Sequence, residues 1–238
     1  MGKFWIVQLI ILIVASLFIL VGRKKHGSYK SLILFFMVYI ISSFLNEVAF
    51  YYPSLDFIGG EWNWSGKLYS IVFSLLFILF GWKYFRGRHY FRIRQKRANL
   101  PIVVLVIVFI LVAVGSYLNS SGNTFDKETM LFQLIMPTVD EEISFRGIMI
   151  VLLTQVVREY YKIGKMKLGR PSVWITAMVF ALLHGLSFND SWGVKFDLIP
   201  FLYTGVLGFL YGWITIRTKS ILLPMISHSL NNVVSFLI

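Results

Sequence analysis

The chain has no cysteine in its 238 residues. That excludes disulfides, a thiolate nucleophile and thiolate metal ligands. Charge is also scarce: 14% of residues are Asp, Glu, Lys or Arg, against roughly 25% in a soluble domain. Acidic residues are the rarest of these, 11 against 23 Lys and Arg, and there are only 4 His. With so few, the position of each becomes informative. The sequence lacks a GxSxG elbow, which leaves an acyl-enzyme route with little support. It also lacks the HExxH helix motif. Strand-like alternation is missing, which argues against an outer-membrane barrel. There is no tandem repeat, low-complexity stretch or Pro- or Ser-rich linker, so residues 1–238 read as a single integral membrane domain.

What the chain does have is apolar length. Hydrophobic residues make up 57%, gathered in runs near the roughly 20 residues that cross a bilayer. The runs lie at roughly 4–22, 31–51, 67–86, 100–118, 130–157, 172–188, 197–216 and 221–238. They predict an all-α, polytopic transmembrane helical bundle of about eight spanning helices. The fifth run is too long for one straight span, and Pro137 is expected to divide it. The first run could be mistaken for a signal peptide. Lys3 alone precedes it, Arg23-Lys24-Lys25 follows it, and no small-residue cleavage site comes after, so a retained first helix is expected.

The formal net charge of +12 raises the question of nucleic acid, and its placement answers it. Basic residues crowd the odd loops: Arg23, Lys24 and Lys25 in the first, Arg86 to Arg97 in the third, Arg158 to Arg170 in the fifth, Arg217 and Lys219 in the seventh. The even loops carry Asp56 and Glu61, then Asp126 and Glu128, then Asp190 and Asp197. By the positive-inside rule the protein sits in the cell membrane as a multi-pass chain, with basic loops cytoplasmic and both termini outside. The bilayer accounts for the charge, and no nucleic-acid partner is expected.

Ionisable groups inside apolar runs are costly and mark functional candidates. Here they concentrate in the last hundred or so residues, while the first hundred hold no suspicious polar cluster. Glu141-Glu142-Ile143-Ser144-Phe145-Arg146 sits in the fifth run. Adjacent helical residues point about 100° apart, whereas Glu142 and Arg146 share a face in the favourable order for an ion pair. Glu141 is left without that partner, and repulsion between neighbouring carboxylates suits one of them to general-base work. The alternative is a structural Glu–Arg clamp. Asp140, beside them, is ambiguous and stays outside the candidate site. His184 closes the sixth run, and its plain alternative is a buried histidine bonded to a backbone carbonyl. His228 and Asn232 share a helix face and could supply two donors to an oxyanion. Asn232 could equally be interhelical glue, which is the better reading of Asn231. Gly205, Gly208 and Gly212 read as close helix packing.

EEISFR, FALLH and HSLNN fit EExxxR, FxxxH and HxxxN in order and spacing. Over residues 130–238 the sequence resembles the CPBP intramembrane proteases, which include type II CAAX prenyl endopeptidases and bacteriocin-processing or self-immunity proteins. The resemblance implies an endopeptidase acting on a membrane-associated peptide or protein. It implies that Glu141 and His184 activate water, that His228 and Asn232 stabilise the oxyanion, and that Glu142 and Arg146 support the site. It leaves the metal open: Glu141, His184 and His228 could hold Zn²⁺ in a three-ligand site, yet the favoured scheme requires no cofactor. A competing reading is a non-catalytic immunity or scaffold protein of the same fold. A proton-coupled transporter has less support, because internal repeats are missing.

The topology places Glu141 and His184 in the outer half of the membrane, whereas the family's CAAX processing implies the cytoplasmic face. A water-filled cavity or a substrate handled from outside would resolve this. The orientation itself is testable, because the chain has no native cysteine. A cysteine placed at Arg92 should resist an impermeant thiol reagent in intact cells and react after permeabilisation. Labelling in intact cells would reverse the assignment.

Overall fold

The computed structural model describes residues 1–118 and 126–237. The chain is helical almost throughout, as expected for an all-α bundle. Helices α1 (Gly2–Gly22), α2 (Tyr29–Tyr51), α3 (Trp64–Phe80), α4 (Trp82–Phe85) and α5 (Asn99–Leu118) form the first part. Then α6 (Lys127–Glu141) continues into a π-helix (Glu142–Met149) and α7 (Ile150–Val156). Helices α8 (Pro171–Gly185), α9 (Leu198–Thr218) and α10 (Leu222–Leu237) follow. Two small antiparallel hairpins, β1–β2 (Lys162–Ile163, Met166–Lys167) and β3–β4 (Leu186–Phe188, Val194–Phe196), occupy the fifth and sixth loops.

All eight apolar runs form helix, with differences in length. Among the described residues α1, α2, α5 and α9 are long and apolar enough to cross a membrane, while α3 and α8 are shorter apolar helices. Ile238, the last residue of the eighth run, lies outside the described residues. The expected division at Pro137 does not occur. Proline removes one ladder bond, yet α6 runs through it, and the departure from α geometry comes only at Glu142. Large apolar side chains project from the helices, such as Leu9, Ile13 and Leu17 of α1 and Val103, Ile107 and Leu111 of α5. Such stripes would be a liability in water and suit lipid. The protein is a membrane protein.

The chain packs as two compact units: residues 1–40 with 148–213, and residues 41–147 with 214–238. In the first, α1 packs on α8. The Lys24 N–H donates to the Val156 carbonyl (3.1 Å) and the Arg158 N–H to that of Gly22 (2.7 Å), joining the first and fifth loops. Lys3 donates to the Asp190 carbonyl (3.1 Å), joining the N-terminus to the sixth loop. In the second unit, α6 packs on α3 and α10, and α5 on α10. The Lys96 N–H donates to Thr218 (2.9 Å) and the Ile221 N–H to Tyr90 (3.0 Å), joining the third and seventh loops. The Glu61 N–H and Trp64 Nε1 donate to Glu128 Oε1 (2.8 and 3.0 Å), joining the second loop to the start of α6. Within each unit, then, odd loops meet odd loops and even loops meet even loops or a chain end.

The glycine stripe of α9 does pack closely. A Cβ on Gly208 would lie 3.3 Å from Ala177 Cα, and one on Gly212 would lie 2.9 Å from Val173 Cγ1. Both neighbours belong to α8, the helix that carries His184. Small residues of this kind let membrane helices approach. Gly208→Leu should therefore cost about 1–3 kcal/mol through overpacking, read as a lower midpoint of thermal unfolding in detergent. An unchanged midpoint would remove the stripe from the packing.

Candidate active site

The second unit concentrates its charge where α6 becomes the π-helix. Asp140 and Glu141 end α6, and Glu142 opens the π-helix. A π-turn inside a membrane helix exchanges regular bonding for i→i+5 bonds and is often found at functional sites. Glu142 is 0% exposed and Arg146 1%. Arg146 Nη1 lies 3.2 Å from Glu142 Oε1, the i,i+4 pair that the spacing predicts. The same oxygen lies 2.9 Å from His228 Nδ1 on α10. A carboxylate accepts, so Nδ1 carries the proton here. The other ring nitrogen, Nε2, lies 3.8 Å from Glu141 Oε2. His228 thus stands between the two glutamates. Glu142 Oε2 is buried with no hydrogen-bond partner among the described residues.

Two expectations need correction. Glu141 does have a cationic partner, and the first hundred residues do contribute to the cluster. Lys67 on α3 sits 3.0 Å from Glu141 Oε1 and 2.9 Å from Asp140 Oδ2. Asp140 is 2% exposed and also accepts from Asn46 Nδ2 (3.0 Å) on α2 and from Ser70 Oγ on α3. One turn further, Ser74 Oγ and Ser144 Oγ lie 3.0 Å apart. Asp140 is therefore a hub that ties α2, α3 and α6 together. The missed signal was a lone lysine at the head of an apolar run, followed on a helical face by Ser70 and Ser74.

Local sequence explains how Lys67 gets there. Asn63 caps α3 by accepting from the Gly66 N–H (3.0 Å) and donates to the Asn46 carbonyl. Gly66 lets the helix approach α2, because a Cβ there would lie 2.2 Å from that same carbonyl oxygen. An aromatic cluster fixes the neighbouring end of α6. Phe132 stacks on Trp62 and meets Trp64 edge-on, each at 5.1 Å between centroids. On the other side of the π-helix, a Cβ on Gly147 would lie 2.5 Å from the Phe91 ring. The third loop therefore packs directly against the backbone beside Arg146.

Glu141, Glu142, Arg146 and His228 are thus brought together in one unit. Asn232 is half-buried on α10, one turn past His228, and takes no part in these hydrogen bonds. Asn231 is the buried one of the pair. His184 belongs to the other unit. It is exposed at the last turn of α8, and its Nδ1 lies 2.9 Å from the Phe180 carbonyl. A carbonyl only accepts, so the bond fixes the tautomer and leaves Nε2 as the basic nitrogen. The carbonyl bond of the plain reading is present, but burial is not.

Residues 128–234 match the family model Rce1-like, described as type II CAAX prenyl endopeptidase Rce1-like. That region belongs to the CPBP family. The family is one of CAAX endopeptidases, and the match spans the EEISFR, FALLH and HSLNN motifs. No curated protein and no solved structure matches the chain. Lys67, Asn46 and Ser70 lie outside the CPBP region.

The donor set also bears on a metal. Among the described residues no group of three or more His, Asp or Glu side chains is placed to hold an ion. Glu141 faces the Lys67 ammonium, and both nitrogens of His228 face carboxylate oxygens.

Burial gives the Glu142–Arg146 pair its leverage. Removing one partner of a buried ion pair costs about 3–5 kcal/mol, because the other charge is left uncompensated. Glu142→Gln should lower thermal stability in detergent by that order. Arg146→Lys keeps the charge but loses the planar fork, and should lower it less. Wild-type unfolding of Glu142→Gln would show that the pair does not hold the π-helix.

Proposed function

We propose that the chain is an intramembrane endopeptidase that hydrolyses a peptide bond of a membrane-associated peptide with a glutamate-activated water. The observation that carries this reading is the 3.8 Å gap between Glu141 Oε2 and His228 Nε2. Polar atoms at such a separation are too far apart for a direct hydrogen bond and suit one bridging water. Glu141 accepts a proton from that water. The hydroxide oxygen attacks the scissile carbonyl carbon, and negative charge moves to the carbonyl oxygen. Glu141 then returns the proton to the amide nitrogen, the C–N bond breaks, and a carboxylic acid and an amine leave.

His228 serves the oxyanion. Its Nδ1–H is held by Glu142, which orients the ring with Nε2 toward Glu141. A proton on Nε2 is a donor toward the reacting carbonyl, in a setting where a preorganised donor counts for more than in water. The motif resemblance adds His184 as the second water-activating group and Asn232 as the second oxyanion donor. Glu142 and Arg146 hold the frame. The scheme has no step that needs a metal ion.

The side of action follows from charge. Lys67 lies in the first turn of α3, just after the acidic second loop. With basic loops cytoplasmic and loops of like parity in contact, the cluster opens toward the outer side. A peptide being exported, such as a bacteriocin or signalling-peptide precursor, suits that geometry.

The test uses purified protein in detergent with two probes, a prenylated CAAX peptide and an apolar single-span peptide. Glu141→Gln should reduce cleavage about 100- to 10,000-fold, the usual cost of removing a positioned general base, with wild-type amounts of folded protein. Full activity in Glu141→Gln with inactivity in a stable Glu142→Gln would exchange their roles. Full activity in both would refute the mechanism.

A further inference from the structure

Within its own unit Glu141 meets Lys67 and His228 through different oxygens. On one side the Lys67 ammonium lies 3.0 Å from Oε1. On the other, His228 Nε2 lies 3.8 Å from Oε2. The two oxygens are therefore not equivalent. Oε1 is tied to a cation, and Oε2 faces the gap in which the proposed water sits. Lys67 is itself held by Asp140 (2.9 Å), and Asp140 is fixed by Asn46 and Ser70. Glu47 also lies within electrostatic reach of Lys67.

We infer that Lys67, braced by Asp140, is a positioning residue that fixes the Glu141 carboxylate so that Oε2 alone works on water. The inference rests on the base assignment given to Glu141 above. It extends the site beyond residues 128–234 to α3, so the CPBP region alone is incomplete. The physical reason is geometric and electrostatic. A glutamate side chain turns about three torsions, and in an apolar helix its charge needs compensation. A single ammonium bridging Asp140 and Glu141 supplies both restraints. A loosely held base loses its alignment with the attacked carbonyl, and a misplacement of about 1 Å can cost on the order of 100-fold in rate.

A purely structural role for Lys67 would consist of neutralising buried Asp140. The double variant Lys67→Met with Asp140→Asn separates the two ideas, because it removes both charges of that pair together. The expected result is wild-type folded amount and unchanged KM for the two peptide probes, with kcat lower on the order of 100-fold. Wild-type kcat in the double variant would overturn the inference.

A second arm covers the case in which the double variant does not fold. The chain has no cysteine, so Lys67→Cys can be modified uniquely. Alkylation with 2-bromoethylamine rebuilds a side chain ending in an ammonium, and iodoacetamide gives a neutral one of similar size. Aminoethylation, shown complete by intact mass, should restore most of the lost kcat, while the neutral adduct should not. Complete aminoethylation without gain, or equal gain from both reagents, would overturn the inference. Glu141→Gln is measured beside them. Its activity would sink the base assignment itself, whereas inactive Glu141→Gln with wild-type kcat in the Lys67 variants would sink only the role of Lys67.

Discussion

An ionised side chain in a lipid-length helix must be compensated by another, and this constraint organises the second unit. Asp140, Glu141 and Glu142 follow one another in sequence, and no single neighbour can satisfy them all. Lys67 takes Asp140 and Glu141, while Arg146 and His228 take Glu142. Those partners come from α3, the π-helix and α10. The compensation therefore draws separate helices onto one short segment. Were the carboxylates apolar, nothing would oblige Lys67 or His228 to face α6.

The same arrangement differentiates two adjacent glutamates. Glu142 is wholly buried and meets two nitrogen partners through one oxygen. Glu141 offers one oxygen to Lys67 and turns the other toward His228. Identical side chains one residue apart thus acquire different surroundings. The π-helix contributes by changing the turn at which Glu142, Ser144 and Arg146 are presented. Burial of an ion pair is weak support for stability by itself, since well-packed apolar residues often do as well. On the proposed function, the role of these charges lies in the reaction instead.

Much of this was legible in the sequence. Apolar run length located every major helix, and the four-residue spacing from Glu142 to Arg146 gave their ion pair. The glycines of α9 announced its approach to α8. What escaped has common physical causes. The contacts of Lys67 with Asp140 and Glu141 join residues more than seventy positions apart, and local periodicity carries no information about such pairings. A 3.6-residue repeat was assumed through Glu142, where the chain adopts a wider turn. Pro137 is expected to divide the fifth run, yet α6 continues through it to Glu141. His228 could be paired with Asn232 by spacing, but its place between the glutamates depends on how α10 packs on α6.

The claim on which the account depends is that this charge cluster cuts peptide bonds in a membrane. Its most direct test compares peptide termini in membranes from cells that carry wild-type protein or Glu141→Gln at equal abundance. The account predicts a discrete set of new termini present only with the wild type. Indistinguishable sets of termini would contradict it.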